Sequence, residues 1–113
     1  MNVQIFGTKK SFDSKKAERY FKERGIKYQF VDMKEKGLSK GEFNSVCQAV
    51  GGYEKLIDLK CKDKNLLALV QYLSEEDKKE KILENQKIIR TPIVRNGKQA
   101  TVGYEPDVWK DWK

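Results

Sequence analysis

The chain contains no histidine. The commonest general base and the commonest metal ligand are therefore both missing, and no metal centre is expected. Cysteine is scarce. Cys47 and Cys61 are too far apart for a CxxC pair and show no zinc-ligand pattern. In a reducing compartment two such thiols are read as free, not as a disulfide. There are only two prolines, and no apolar run approaches the ~20 residues needed to cross a bilayer. The opening MNVQIFG has no charged segment leading into an apolar one and no small-residue cleavage site. The expectation is a cytoplasmic, bacterial-type protein with no membrane association.

What is present is a heavily charged chain of 113 residues, 36% charged and 38% hydrophobic. That balance suits one domain spanning residues 1–113, with a real core and a strongly solvated surface. The net charge is +7, which raises the prior for acidic partners such as nucleic acid. The lysines are interspersed with acids, as in Ser74-Glu75-Glu76-Asp77-Lys78-Lys79-Glu80-Lys81. Solvated helix faces are therefore favoured over a dedicated nucleic-acid surface.

Hydrophobic periodicity orders the elements. Val3, Ile5 and Phe6, ending at Gly7, predict a first strand. Ala17, Tyr20 and Phe21 recur at helical spacing, and Gly25 followed by Ile26 marks the end of that helix. Tyr28, Phe30 and Val31 predict a second strand. A helix linking two strands implies a parallel pair. Ser39-Lys40-Gly41-Glu42 is a capping box, followed by Phe43, Val46, Cys47 and Val50 on one face and by Gly51-Gly52. Cys47 is thus expected to be a core thiol. Leu66, Leu67, Leu69, Val70 and Leu73 suggest another helix, and Ser74 with Asp77 opens a charged one. Ile93-Val94, Asn96-Gly97 and Ala100-Thr101-Val102 predict a hairpin. Pro106 suits the first turn of a final helix carrying Val108, Trp109 and Trp112. The order β-α-β, helices, hairpin, helix implies a mixed sheet in a three-layer α/β arrangement.

Three segments together resemble the arsenate reductase (ArsC)/Spx family. Phe6-Gly7-Thr8-Lys9-Lys10-Ser11-Phe12-Asp13-Ser14-Lys15-Lys16-Ala17 is similar to its strand, cysteine loop and "KA" helix start. Arg90-Thr91-Pro92-Ile93-Val94 is similar to its "RPI" element with a cis-proline. Val102-Gly103-Tyr104 is similar to its "VGF/VGY" before a terminal helix. The resemblance implies a thioredoxin-like α/β/α fold with a four-stranded mixed sheet and an inserted helical segment. It also implies a cis bond at Thr91-Pro92.

The chemistry departs from that pattern. Ser11 matches the family's nucleophilic cysteine, and Ser14 matches the resolving cysteine of the Spx-type CxxC. A serine hydroxyl needs an activating base, and no histidine can supply one. Lys9 and Lys10 are the nearest candidate bases but are read as solvating the loop. The favoured role for Ser11 or Asp13 is a helix cap. The family's oxyanion-binding arginines match positions near Lys60, Thr91 and Tyr104. Lys60 keeps a charge without the bidentate fork, and Thr91 keeps neither. Arg90 and Arg95 are nearby. A residual anion site at the helix N-terminus is expected to involve Lys9, Lys10, Lys60, Arg90, Thr91 and Pro92. Cys61, between Lys60 and Lys62, is a reactive-thiol candidate if exposed, but it is not at the family's catalytic position.

The first functional expectation is a non-catalytic binding or transcription-regulatory protein. The resemblance implies RNA polymerase or another protein as partner, with Gly52 at the position of a family glycine that contributes to that contact. The alternative is an arsenate-reductase-type oxidoreductase linked to glutathione or glutaredoxin. It would need another thiol or bound glutathione; the first reading needs no cofactor. A basic nucleic-acid-binding module is a third reading.

Overall fold

The computed structural model describes residues 1–113. The chain opens with β1 (Val3–Gly7), α1 (Phe12–Glu23) and β2 (Tyr28–Asp32). Three helices follow: α2 (Lys40–Val50), α3 (Lys64–Tyr72) and α4 (Glu75–Glu84). The hairpin β3 (Ile93–Asn96) and β4 (Gln99–Val102) leads to the short α5 (Pro106–Trp109). The sheet order is β2-β1-β3-β4. β1 and β2 run parallel, with Ile5 opposite Phe30. β3 is antiparallel to both β1 and β4.

Strand alternation sends side chains to two faces, and each face has its own core. Phe6, Val31 and Ile93 join Phe43, Val46, Leu66, Val70 and Ile82 from α2, α3 and α4. Val3, Ile5 and Val94 join Ala17 and Phe21 of α1 and Trp109 and Trp112 of the C-terminal segment. The result is a helix–sheet–helix sandwich, with α2 to α4 inserted between β2 and β3.

Local signals explain the boundaries. Ser39 Oγ accepts from Glu42 N while Glu42 accepts from Ser39 N, completing the capping box. At the end of α1, Gly25 (φ 67°) turns the chain, and Gly25 N and Ile26 N donate to Lys22 O and Phe21 O. In the hairpin the two loop residues are Gly97 and Lys98, because Asn96 pairs with Gln99. Only Gly97 has positive φ, so the turn is of the glycine-first kind and not the Asn-Gly kind. The reason is that Asn96 is held in the strand. Its side chain accepts from Asn2 N and donates to Gln99 Oε1.

Cys47 lies in the α2 core, 7% exposed. Burial pushes its thiol pKa up, with Lys79 pulling the other way. The thiol therefore stays neutral at ordinary pH, and native Cys47 should label slowly with a thiol reagent. Cys47→Ser should cost on the order of 1–3 kcal/mol, the usual cost of an unsatisfied hydroxyl in an apolar site. Urea titration followed by circular dichroism checks this. An unchanged midpoint would show that the hydroxyl finds a partner.

Candidate functional site

The loop between β1 and α1 is closed by its own two serines. Ser11 is the N-cap of α1, and its Oγ accepts from Ser14 N at 3.2 Å. Ser14 is fully buried. Its Oγ accepts from Thr8 N at 3.3 Å. Ser11 N donates to Thr8 O at 3.2 Å, closing the turn. Ser14 packs so tightly on the end of β1 that a Cβ on Gly7 would lie 2.9 Å from Ser14 Cβ. Glycine at position 7 thus permits the inward serine. Both hydroxyls are committed to backbone N–H groups that would otherwise lack partners.

A cleft of about 600 Å³ opens beside Ser11. The start of α1 supplies Ser11 and Asp13, the 54–60 segment supplies Glu54, Lys55, Ile57, Asp58, Leu59 and Lys60, and the approach to β3 supplies Arg90 and Thr91. A two-stranded bridge holds the second and third walls together: Ile57 pairs with Ile89, Asp58 N donates to Ile88 O at 2.7 Å, and Arg90 N to Leu56 O at 2.7 Å. Asp58 also accepts from Lys60 N at 2.9 Å, turning the loop back toward the cleft. The Thr91-Pro92 peptide is cis.

Of the candidate site residues, Ser11, Lys60, Arg90 and Thr91 line one cleft. Lys9 and Lys10 do not join them. They occupy the exposed turn before α1 and do not line the cleft. Pro92 is buried beneath the surface, its carbonyl accepting from Gly103 N at 2.8 Å. Tyr104 does not line the cleft. It stands edge-on to Trp109, with Lys16 over its ring.

Asp13, Glu54 and Asp58 were not anticipated as cleft residues. Three carboxylates oppose the three cations Lys55, Lys60 and Arg90, so the formal charges cancel. Asp13 sits in the first turn of α1, where its own charge already complements the positive end of the helix. The expected residual anion site at this helix N-terminus is thus weakened by the residues around it. Gly52 has φ 136°, and a Cβ there would meet Glu54 Oε2 at 2.6 Å. That gives the glycine a conformational reason independent of any partner. Cys61 is half-buried, its Sγ 3.9 Å from Lys87 O, and does not line the cleft. No His/Cys/Asp/Glu group has the arrangement of a metal site, and no helix is long and apolar enough to cross a membrane.

A β-α-β unit joined to an antiparallel hairpin, with a cis-proline beside a helix N-cap loop, defines a thioredoxin-like protein. The ArsC family model matches residues 6–112, and the chain belongs to the ArsC family. It is 27% identical over 128 positions to the global transcriptional regulator Spx 2 of Oceanobacillus iheyensis, covering 100% of this chain and 94% of that one. It is 22% identical over 115 positions to the uncharacterized protein YusI of Bacillus subtilis, covering 98% of each. An arsenate reductase from Vibrio cholerae superposes with a TM-score of 0.82 at 25% identity, over 96% of this chain and 94% of that one.

Proposed function

We propose that the protein is a non-catalytic member of its family, acting in transcription by binding a protein partner, with RNA polymerase as the first candidate. The observation that carries this reading is the use of the two serines. Ser11 Oγ caps α1 and buried Ser14 Oγ holds Thr8 N, so both hydroxyls at the redox positions serve the scaffold. Neither forms the disulfide that thiol chemistry requires, and no histidine is present to activate an alcohol. The likeness to Spx 2, named as a transcriptional regulator, supports the regulatory half of the proposal.

The test has two arms. Purified RNA polymerase is passed with the protein over a sizing column, and arsenate reduction is measured with glutathione and glutaredoxin supplied. The expected result is co-elution and no turnover above the enzyme-free blank. Turnover that survives Ser11→Ala but disappears in Cys61→Ser would replace this reading with a glutathione- or glutaredoxin-linked oxidoreductase using Cys61.

A further inference from the structure

A second concavity, about 370 Å³, lies on the far side of α1, between that helix and the segment after β4. Lys16, Arg19, Tyr20, Glu23, Arg24 and Tyr104 face it. Lys16, Arg19 and Arg24 enter none of the protein's salt bridges. Three cations thus share the notch with one carboxylate, whereas the Ser11 cleft is balanced.

Two of the cations are held in place. The Arg24 guanidinium stacks 3.7 Å from the centroid of Tyr20, and its Nη1 donates to Tyr20 O at 3.2 Å. Lys16 Nζ lies 5.6 Å from the centroid of Tyr104. Tyr20 and Tyr104 are themselves set edge-on against buried Trp109, so both rings that hold the charges lean on the core, Tyr20 from within it and Tyr104, 39% exposed, from its rim. Eight residues of helical rise separate Lys16 from Arg24, roughly 12 Å along the axis. Arg19 stands between them, exposed and without a hydrogen-bonded or ionic partner of its own.

We propose that this notch binds phosphate, taking a ligand that carries two neighbouring phosphoryl groups. Guanidinium forks suit such oxyanions because several N–H donors engage one group. Fixing Lys16 and Arg24 on aromatic faces lowers the ordering cost of binding. Arg19 completes a contact with either neighbour. The same phosphate chemistry is offered by a small polyphosphate and by the backbone of single-stranded nucleic acid, and the notch is separate from the Ser11 cleft.

The test is an amide NMR titration with pyrophosphate and, separately, with an oligothymidylate, each against sodium chloride at matched ionic strength. Saturable shifts are expected at Lys16, Arg19, Arg24 and Tyr104. Arg19→Gln should weaken binding roughly tenfold, the loss of about one charge-assisted hydrogen bond. Its melting curve should match the wild type, because Arg19 is exposed and its side chain makes no hydrogen bond or salt bridge. Lys16→Gln serves as a second variant. Tighter binding of the oligomer, falling steeply with salt, would identify nucleic acid as the source. Tighter binding of pyrophosphate would identify a small polyphosphate. Shifts no larger than those with chloride, or affinities unchanged in both variants, would overturn the proposal.

Discussion

Trp109→Ala is expected to destabilise the protein by about 3–5 kcal/mol, the range for removing a large buried aromatic. Trp109 is 2% exposed. It contacts the rings of Tyr20, Phe21, Tyr104 and Trp112, at centroid distances of 5.2, 5.1, 5.5 and 6.5 Å. Its indole Nε1 donates to Thr101 Oγ1 at 2.7 Å, a buried bond. One side chain thus ties α1, β4 and the C-terminal segment together, and α5, at four residues, is too short to persist without it. Trp109→Phe separates the two contributions. It keeps a ring in the core but leaves the Thr101 hydroxyl without its donor, an expected cost of about 1–3 kcal/mol. Urea unfolding followed by far-ultraviolet circular dichroism reads both. A domain of this class has about 5–15 kcal/mol in total, so the alanine variant should unfold at markedly lower urea. A loss below about 0.5 kcal/mol would mean that the aromatic cluster repacks around the gap.

The elements carried by local periodicity were legible in the sequence. Val3, Ile5 and Phe6, then Ala17, Tyr20 and Phe21, then Tyr28, Phe30 and Val31 each appear as read. The capping box at Ser39 is formed by the residues that predict it. The α3 region was less legible. Five apolar positions suggested a broad face, yet only Leu66 and Val70 are buried, and Leu69 is 45% exposed. A short helix needs only an i, i+4 pair to dock, and a leucine-rich pattern does not say which pair. Its cap, Asp63, accepts from Leu66 N at 3.0 Å and pairs with Lys87 at 3.0 Å, but it is hidden among lysines. The site shows the same division. Ser11, Thr91 and Lys60 could be placed by resemblance. Asp58 and Arg90 share one cleft because Ile57 bridges Ile89, and a pairing across some thirty residues leaves no local signal. In the sequence Ser14 marks only the place of the family's resolving thiol. Its structural role became visible only with Gly7 and Thr8 around it.

Ser11→Cys is expected to create a reactive thiol without creating an arsenate reductase. The sulfur would occupy the cap position and accept from Ser14 N, as Ser11 Oγ does now. Hydrogen bonding to the anion and the positive end of α1 both favour thiolate. Lys60 and Arg90 reinforce this across the cleft, while Asp13, Glu54 and Asp58 oppose it. The balance should leave roughly tenfold more thiolate at pH 7 than an unstructured cysteine, whose pKa is about 8.5. Peptide-resolved labelling across pH, native against urea-unfolded, measures that difference. Arsenate turnover should still be missing from Ser11→Cys alone. Thr91 offers a hydroxyl where the mechanism needs a guanidinium fork, while the second thiol that Ser14 does not supply is provided in both variants by glutathione. The glutathione-coupled assay on Ser11→Cys and on Ser11→Cys with Thr91→Arg therefore separates nucleophile from anion holder. The expected outcome is thiol reactivity in both and turnover only where Thr91→Arg is also present. Clear turnover by Ser11→Cys alone would mean that Arg90 and Lys60 already hold the oxyanion, despite the carboxylates that share their cleft.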